Sequence, residues 1–81
     1  MKKATRRDNG KRNIVGQNIR KARLEKGVTQ QKLAELLKAE GIHLDQKIIS
    51  AIECRLRTVA DFELLAIAKC LEVPVDDLFE D

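Results

Sequence analysis

The 81-residue sequence has no tryptophan and no tyrosine, and its two aromatic side chains, Phe62 and Phe79, both fall in the C-terminal third. A core must therefore be built from Leu, Ile, Val and Ala. With abundant Lys, Glu and Arg, that usage favours helices over strands. Histidine occurs once, at His43, and cysteine twice, at Cys54 and Cys70, without a CxxC spacing. Three such residues cannot supply the roughly four ligands of a zinc site, so neither a metal nor another cofactor is expected. Two isolated thiols suit the reducing cytoplasm, where cysteine acts as a small hydrophobe. No long hydrophobic run occurs, which leaves no secretory h-region and no membrane span. A nucleophile paired with a base is missing, as is a Gly-rich phosphate loop, so the chain does not read as an enzyme. A chain of this length reads as one domain with a modest core, better suited to binding than to a deep cleft.

Charge is present in quantity but unevenly placed. Residues 1–13 carry Lys2, Lys3, Arg6, Arg7, Lys11 and Arg12 against Asp8, a balance of +5. Since the whole chain is +3, residues 14–81 carry −2. The last ten residues hold Glu72, Asp76, Asp77, Glu80 and Asp81 and no cation. The first thirteen residues thus form a basic arm, disordered or extended, followed by a domain over 14–81. Such an arm suits a polyanionic partner or stands as a solvated tail.

The helical period starts after Asn13, a plausible N-cap, with Val15, Ile19 and Ala22 on one stripe and Gly27 as the stop. Val28 reads as a buried peg, and Thr29 caps a second helix whose inner stripe is Leu33, Ala34 and Leu37. Gly41 ends it. Ile42 and Leu44 are apolar enough to tuck into the core, and Asp45 caps a third helix with Ile49 and Ile52 inward. Thr58 with Asp61 three residues on suggests a capping box for a fourth helix that buries Leu64, Leu65, Ala68 and Leu71. Pro74 opens a short fifth helix with Asp76 and Asp77 in its first turn, and Leu78 and Phe79 close the core. The expected fold class is all-α, with five helices.

Two helices joined by a brief Gly-containing turn make a helix-turn-helix unit. An α-helix fits the major groove of B-DNA, where its first residues reach base edges. The outward arc of the third helix carries Gln46, Lys47, Ser50 and Ala51. Gln46 can pair bidentately with adenine, Lys47 can donate to guanine or to phosphate, and Ala51 can touch a thymine methyl. Ser50 is either part of that surface or a neutral bystander.

The order of the motifs carries a more specific likeness. Val15, Ile19 and Arg23 lie in the first helix, followed by Gly27-Val28-Thr29-Gln30-Gln31-Lys32-Leu33-Ala34-Glu35. Ile49-Ser50-Ala51-Ile52-Glu53 comes next, then Ala66-Ile67-Ala68-Lys69-Cys70-Leu71-Glu72-Val73, and finally Asp77-Leu78-Phe79. In this the chain resembles the lambda-repressor/Cro helix-turn-helix regulators over residues 14–79. The resemblance implies double-stranded DNA as partner, a homodimer at least on DNA, and transcriptional regulation, as a repressor, with the third helix (about 45–53) in the major groove. It places Gln30 on a phosphate and bracing that helix, with Gln46, Lys47 and Ala51 at base-contacting positions. Asp45 and Ser50 flank them in the DNA-binding set. Arg23 and Glu53 match a pair that joins the first helix to the end of the third. Arg55 and Arg57 would bind phosphate or sit in a solvated loop.

Three departures from the family pattern stand out. Between Leu33 and Glu53 the chain is longer by more than a helical turn, around Lys38–His43, which implies a longer second helix and connection. Glu72 and Arg55 each occupy a position where the family commonly has glycine. A different use of the same fold is an antitoxin-like or anti-repressor interaction module, with the acidic C-terminal segment, Leu36 and Ile48 turned to a partner. No small-molecule inducer site is evident.

Overall fold

The computed structural model of the protein describes residues 14–80; the basic arm, the expected Asn13 cap and Asp81 fall outside them. Four α-helices follow in order: α1 (Ile14–Glu25), α2 (Gln30–Ala39), α3 (Gln46–Glu53) and α4 (Asp61–Leu71). The expected fifth helix is a single 3₁₀ turn, Val75–Phe79. Its Asp77 N–H donates to the Pro74 carbonyl at 3.0 Å, the i→i+3 bond of the tighter helix. No strand occurs among the described residues.

The caps explain where α2 and α3 begin. Thr29 Oγ1 accepts from the Lys32 N–H at 2.9 Å, and Asp45 Oδ1 accepts from the Ile48 N–H at 2.9 Å. Each replaces a bond that the first turn of a helix lacks. The expected Thr58–Asp61 box is not the start of α4. That helix begins two residues later, with Ala60 at the cap position. Alanine has no acceptor to offer, so the reciprocal half of the box does the work: Glu63 Oε1 takes the Ala60 N–H at 2.9 Å. Asp61 becomes the first helical residue, where the dipole favours an anion.

All four helices stop in the same way, by the paired backbone bonds of a Schellman motif. Val28 donates to Arg23 and Gly27 to Leu24; Ile42 donates to Leu37 and Gly41 to Lys38. At the other two ends, Leu56 donates to Ala51 and Arg55 to Ile52, then Val73 to Ala68 and Glu72 to Lys69. The motif needs a left-handed residue, supplied by Gly27 (φ 70°) and Gly41 (φ 83°) but also by Arg55 (φ 65°) and Glu72 (φ 58°). A side chain there costs about 1–2 kcal/mol. Glu72 also puts an anion beside the negative end of α4, whereas Arg55 puts a cation beside that of α3.

The inner faces of the helices enclose one aliphatic core in which Ile19, Leu33, Leu37, Ile49, Ile52, Ile67, Leu71 and Leu78 are fully buried. α1 packs on α3 and on the closing turn, while α2 packs on α3 and α4. Two expected core residues are outside it. Leu65 is 58% exposed, because the buried stripe of α4 is Leu64, Ile67, Ala68 and Leu71, and Leu65 lies a sixth of a turn or more beyond its edge. Phe79 is 57% exposed, because the three-residue period of a 3₁₀ turn directs Val75 and Leu78 inward and the next residue outward. Leu36 and Ile48, expected to face a partner, are both half-buried, and Ile48 packs against the core.

Two long-range contacts hold α1 in place. Gly16 is buried against the backbone of α3, where a Cβ would overlap the Ile52 carbonyl group. Asn18 Nδ2 donates to the Leu78 and Glu80 carbonyls at 2.9 and 2.6 Å, tying α1 to the closing turn. Gly16→Ala should force these helices apart and lower stability by about 1–3 kcal/mol or more in urea denaturation; an unchanged midpoint would contradict the close approach. Glu72→Gly should raise stability by about 1 kcal/mol, as left-handed strain and an unfavourable charge are both removed and part of the gain is lost to glycine entropy. A lower melting temperature would count against that account.

Candidate nucleic-acid interface

The N-terminal ends of α2 and α3 are joined by a chain of side chains that starts in the core. Arg23, in the last turn of α1, and Glu53, the last residue of α3, are 7% and 5% exposed. Arg23 Nε donates to Glu53 Oε2 at 2.7 Å and Nη2 to Oε1 at 3.0 Å, a bidentate pair. The third nitrogen, Nη1, donates to the Val28 carbonyl at 2.8 Å. The hydrogen bond to Glu53 raises the affinity of the guanidinium for its proton, against the opposing effect of burial, so Arg23 keeps its charge. From this pair the connection runs outward. Gln30 Nε2 donates to Glu53 Oε1 at 3.1 Å, and Gln46 Nε2 donates to Gln30 Oε1 at a longer 3.4 Å.

Gln30 is the first residue of α2 and half-buried; Gln46 and Lys47 are the first two residues of α3 and exposed. Asp45 is exposed with its carboxylate on the Ile48 N–H, and it fixes the direction in which α3 starts. Ser50 and Ala51, expected to face outward, are half-buried on the following turn. The Ala51 carbonyl is taken up by the Schellman bond from Leu56. Arg55 is exposed in its left-handed position beyond α3.

Arg57 lies in the loop after α3, partly exposed and paired. Its Nη1 and Nη2 each lie 3.2 Å from an oxygen of Glu63, and Nη1 also donates to the Thr58 carbonyl at 3.1 Å. Glu63 is 7% exposed, and its carboxylate serves both Arg57 and the Ala60 N–H. Arg57 chiefly, with help from that N–H and against burial, lowers the Glu63 pKa below its ordinary 4.5. Reasoning from sequence missed Glu63. The Glu in the third position of α4 was the available signal, once the helix start is moved to Ala60.

The lengthened segment between α2 and α3 has a definite role in the geometry. α2 runs to Ala39, Gly41 turns the chain, and Leu44 is buried at 4% exposure just before the Asp45 cap. His43 stays exposed on the wall of an open groove, with Ala34, Lys38, Leu44 and Ile48 also lining it. Leu44 thus anchors the connection, and α3 starts from a fixed point. No group of side chains able to hold a metal ion occurs among the described residues, and no described helix is long and apolar enough to cross a membrane.

The lowered pKa of Glu63 has a defined consequence for stability. Because the folded-state pKa of Glu63 lies below its unfolded value, its contribution is present above about pH 4.5 and is lost as pH falls through the folded value. Glu63→Gln should therefore be less stable than the parent at neutral pH, with the difference shrinking in acid. A difference that stays constant from pH 7 to pH 3 would contradict the pairing with Arg57.

A helix-turn-helix family model matches residues 19–78, from the middle of α1 to the closing turn. No curated protein matches the chain. Since the family match spans most of the sequence and all of α2 and α3, the chain belongs to the helix-turn-helix family of lambda repressor/Cro-like regulators, which bind double-stranded DNA.

Proposed function

We propose that the chain binds duplex DNA sequence-specifically, with the first turn of α3 in the major groove, and represses transcription by occupying its site as a pair of copies. The observation that carries this reading is the position of Gln46. It is exposed at the head of α3, and its amide is bonded through Gln30 to a buried ion pair. A side chain held in this way meets a base edge without first losing much freedom, which favours discrimination over mere attraction.

The roles follow from chemistry. Gln46 pairs with adenine, and Lys47 donates to guanine or to a flanking phosphate. Ala51 and Ser50 line the floor of the contact, where small side chains permit close approach. Gln30 uses one amide hydrogen on Glu53, which leaves the other for a phosphate oxygen. Arg55 sits where the chain leaves α3 and neutralises phosphate, and Arg57 adds charge from its place on Glu63. Asp45 acts through its cap, holding the first turn of α3 in the orientation from which Gln46 projects. A symmetric pair of copies places its two recognition helices about 34 Å apart, one turn of DNA.

Gln46→Ala should weaken binding to the preferred duplex by about 1–3 kcal/mol while leaving binding to unrelated duplexes unchanged, measured by fluorescence anisotropy at fixed salt. Equal losses on both would remove Gln46 from base recognition.

A further inference from the structure

The connection between α2 and α3 begins beside the last turn of α2, where the Ile42 N–H donates to the Leu37 carbonyl at 2.9 Å. It ends beside the first turn, where Gln46 meets Gln30. The chain therefore runs back along α2. Buried and exposed side chains alternate on the way: Ile42 and Leu44 turn to the core, His43 and Asp45 to water. The Leu44 N–H donates to the Ile42 carbonyl at 3.3 Å, which puts His43 at the apex of a three-residue turn. The imidazole thus stands on the wall of a groove that Gln31 and Gln46 also line.

We propose that His43 is a proton-dependent phosphate contact: its imidazolium holds a backbone phosphate at the rim of the major groove that Gln46 reads, so that affinity for DNA rises in mild acid. This rests on the DNA-binding reading above and adds a backbone contact and a proton to it. Depth decides the placement. The major groove is about 12 Å wide, and a helix with its side chains is about 10–12 Å across, so the helix fills it. The groove is also about 8.5 Å deep, so a residue that distance behind the base-reading side chain is level with the phosphates. His43 precedes Gln46 by three residues, no more than about 10 Å of chain. Charge decides the rest. The charged side chains that line the groove with the imidazole are Glu35 and Lys38 of α2 and Asp45 of the connection. Glu35 and Lys38 lie one turn apart with opposite signs, and Asp45 sits on the positive end of α3, which offsets it. The sign of this wall is therefore set by the imidazole, and a protonated ring makes a charge-assisted bond to phosphate. The lengthened segment that ends in His43 supplies both the residue and its height above the groove floor.

Histidine is the side chain whose charge ordinarily changes between pH 8 and pH 6, and this chain has one. Phosphate favours the imidazolium, so binding takes up a proton and strengthens as pH falls. Both pH values lie above the range in which the Glu63 carboxylate is protonated. The test uses a duplex enriched from a random-sequence pool by the full chain, with fluorescence anisotropy at pH 8 and pH 6 at fixed salt. The parent should bind at least about threefold more tightly at pH 6. His43→Asn changes an exposed residue, and circular dichroism melting checks that its fold is kept. It should bind within about twofold of the parent at pH 8, gain nothing in acid, and show a salt slope at pH 6 shallower by about one. Replacing backbone phosphates one at a time by neutral methylphosphonate should abolish the parent's response to pH at one position beside the sequence read by Gln46. An equal response to pH in parent and variant would overturn the assignment to His43. A response that survives every single phosphate replacement would overturn the phosphate contact. Tight binding by the parent with no response to pH would overturn this inference and leave the DNA reading intact. Failure of the parent to enrich any duplex would overturn the DNA-binding reading and this inference with it.

Discussion

The Arg23–Glu53 pair is the interaction on which the rest of the domain depends. It joins residues thirty positions apart, from the end of α1 to the end of α3, in a place with almost no access to water. Burying two charges is costly unless their remaining hydrogen-bonding capacity is met. Here it is met on both sides. The guanidinium also holds the Val28 carbonyl, and the carboxylate also holds the Gln30 amide. The same pair therefore sets the turn between α1 and α2, the packing of α1 on α3, and the direction of the amide that reaches Gln46. Gly16 supplies the second fixed point of the α1–α3 contact, two helical turns before Arg23 on the same face of α1.

From this frame the outward surface follows. α3 is short, and it is held at its tail by Glu53 and at its head by the Asp45 cap. What remains exposed at its start is polar, uncrowded and braced, as a helix that reads a groove requires. The loop after α3 is held by a second ion pair, Arg57–Glu63, which also caps α4. Two salt-bridged carboxylates thus organise the end of α3 and the loop that follows it, one buried in the core and one at its edge. The left-handed Arg55 and Glu72 are the strained points of the fold, and only Arg55 has a compensating charge at its helix end.

Local features were legible in the sequence because local chemistry determines them. Thr29 and Asp45 cap where their side chains demand, and Gly27 and Gly41 stop helices where only glycine is unstrained. The candidate surface at Gln30, Gln46 and Lys47 was placed at helix starts by the same signals. The misreadings came where the answer depended on distant partners. Thr58 looks like a cap until Glu63 is seen to hold the Ala60 N–H, which moves the start of α4, and Leu65 looks like core until Ile67 is seen to complete the buried stripe. Phe79 looks like core until the last turn is seen to be 3₁₀. Gly16 is a glycine inside a helix, a sign of close approach, but nothing local says that the backbone of Ile52 is its neighbour.

The most direct test of this account is the stability of Glu53→Gln, a change of one atom that leaves Arg23 charged and buried. Chemical denaturation should show a loss of about 3–5 kcal/mol, the cost of an uncompensated buried charge. A loss below about 1 kcal/mol, typical of an exposed ion pair, would contradict the central place given to this contact.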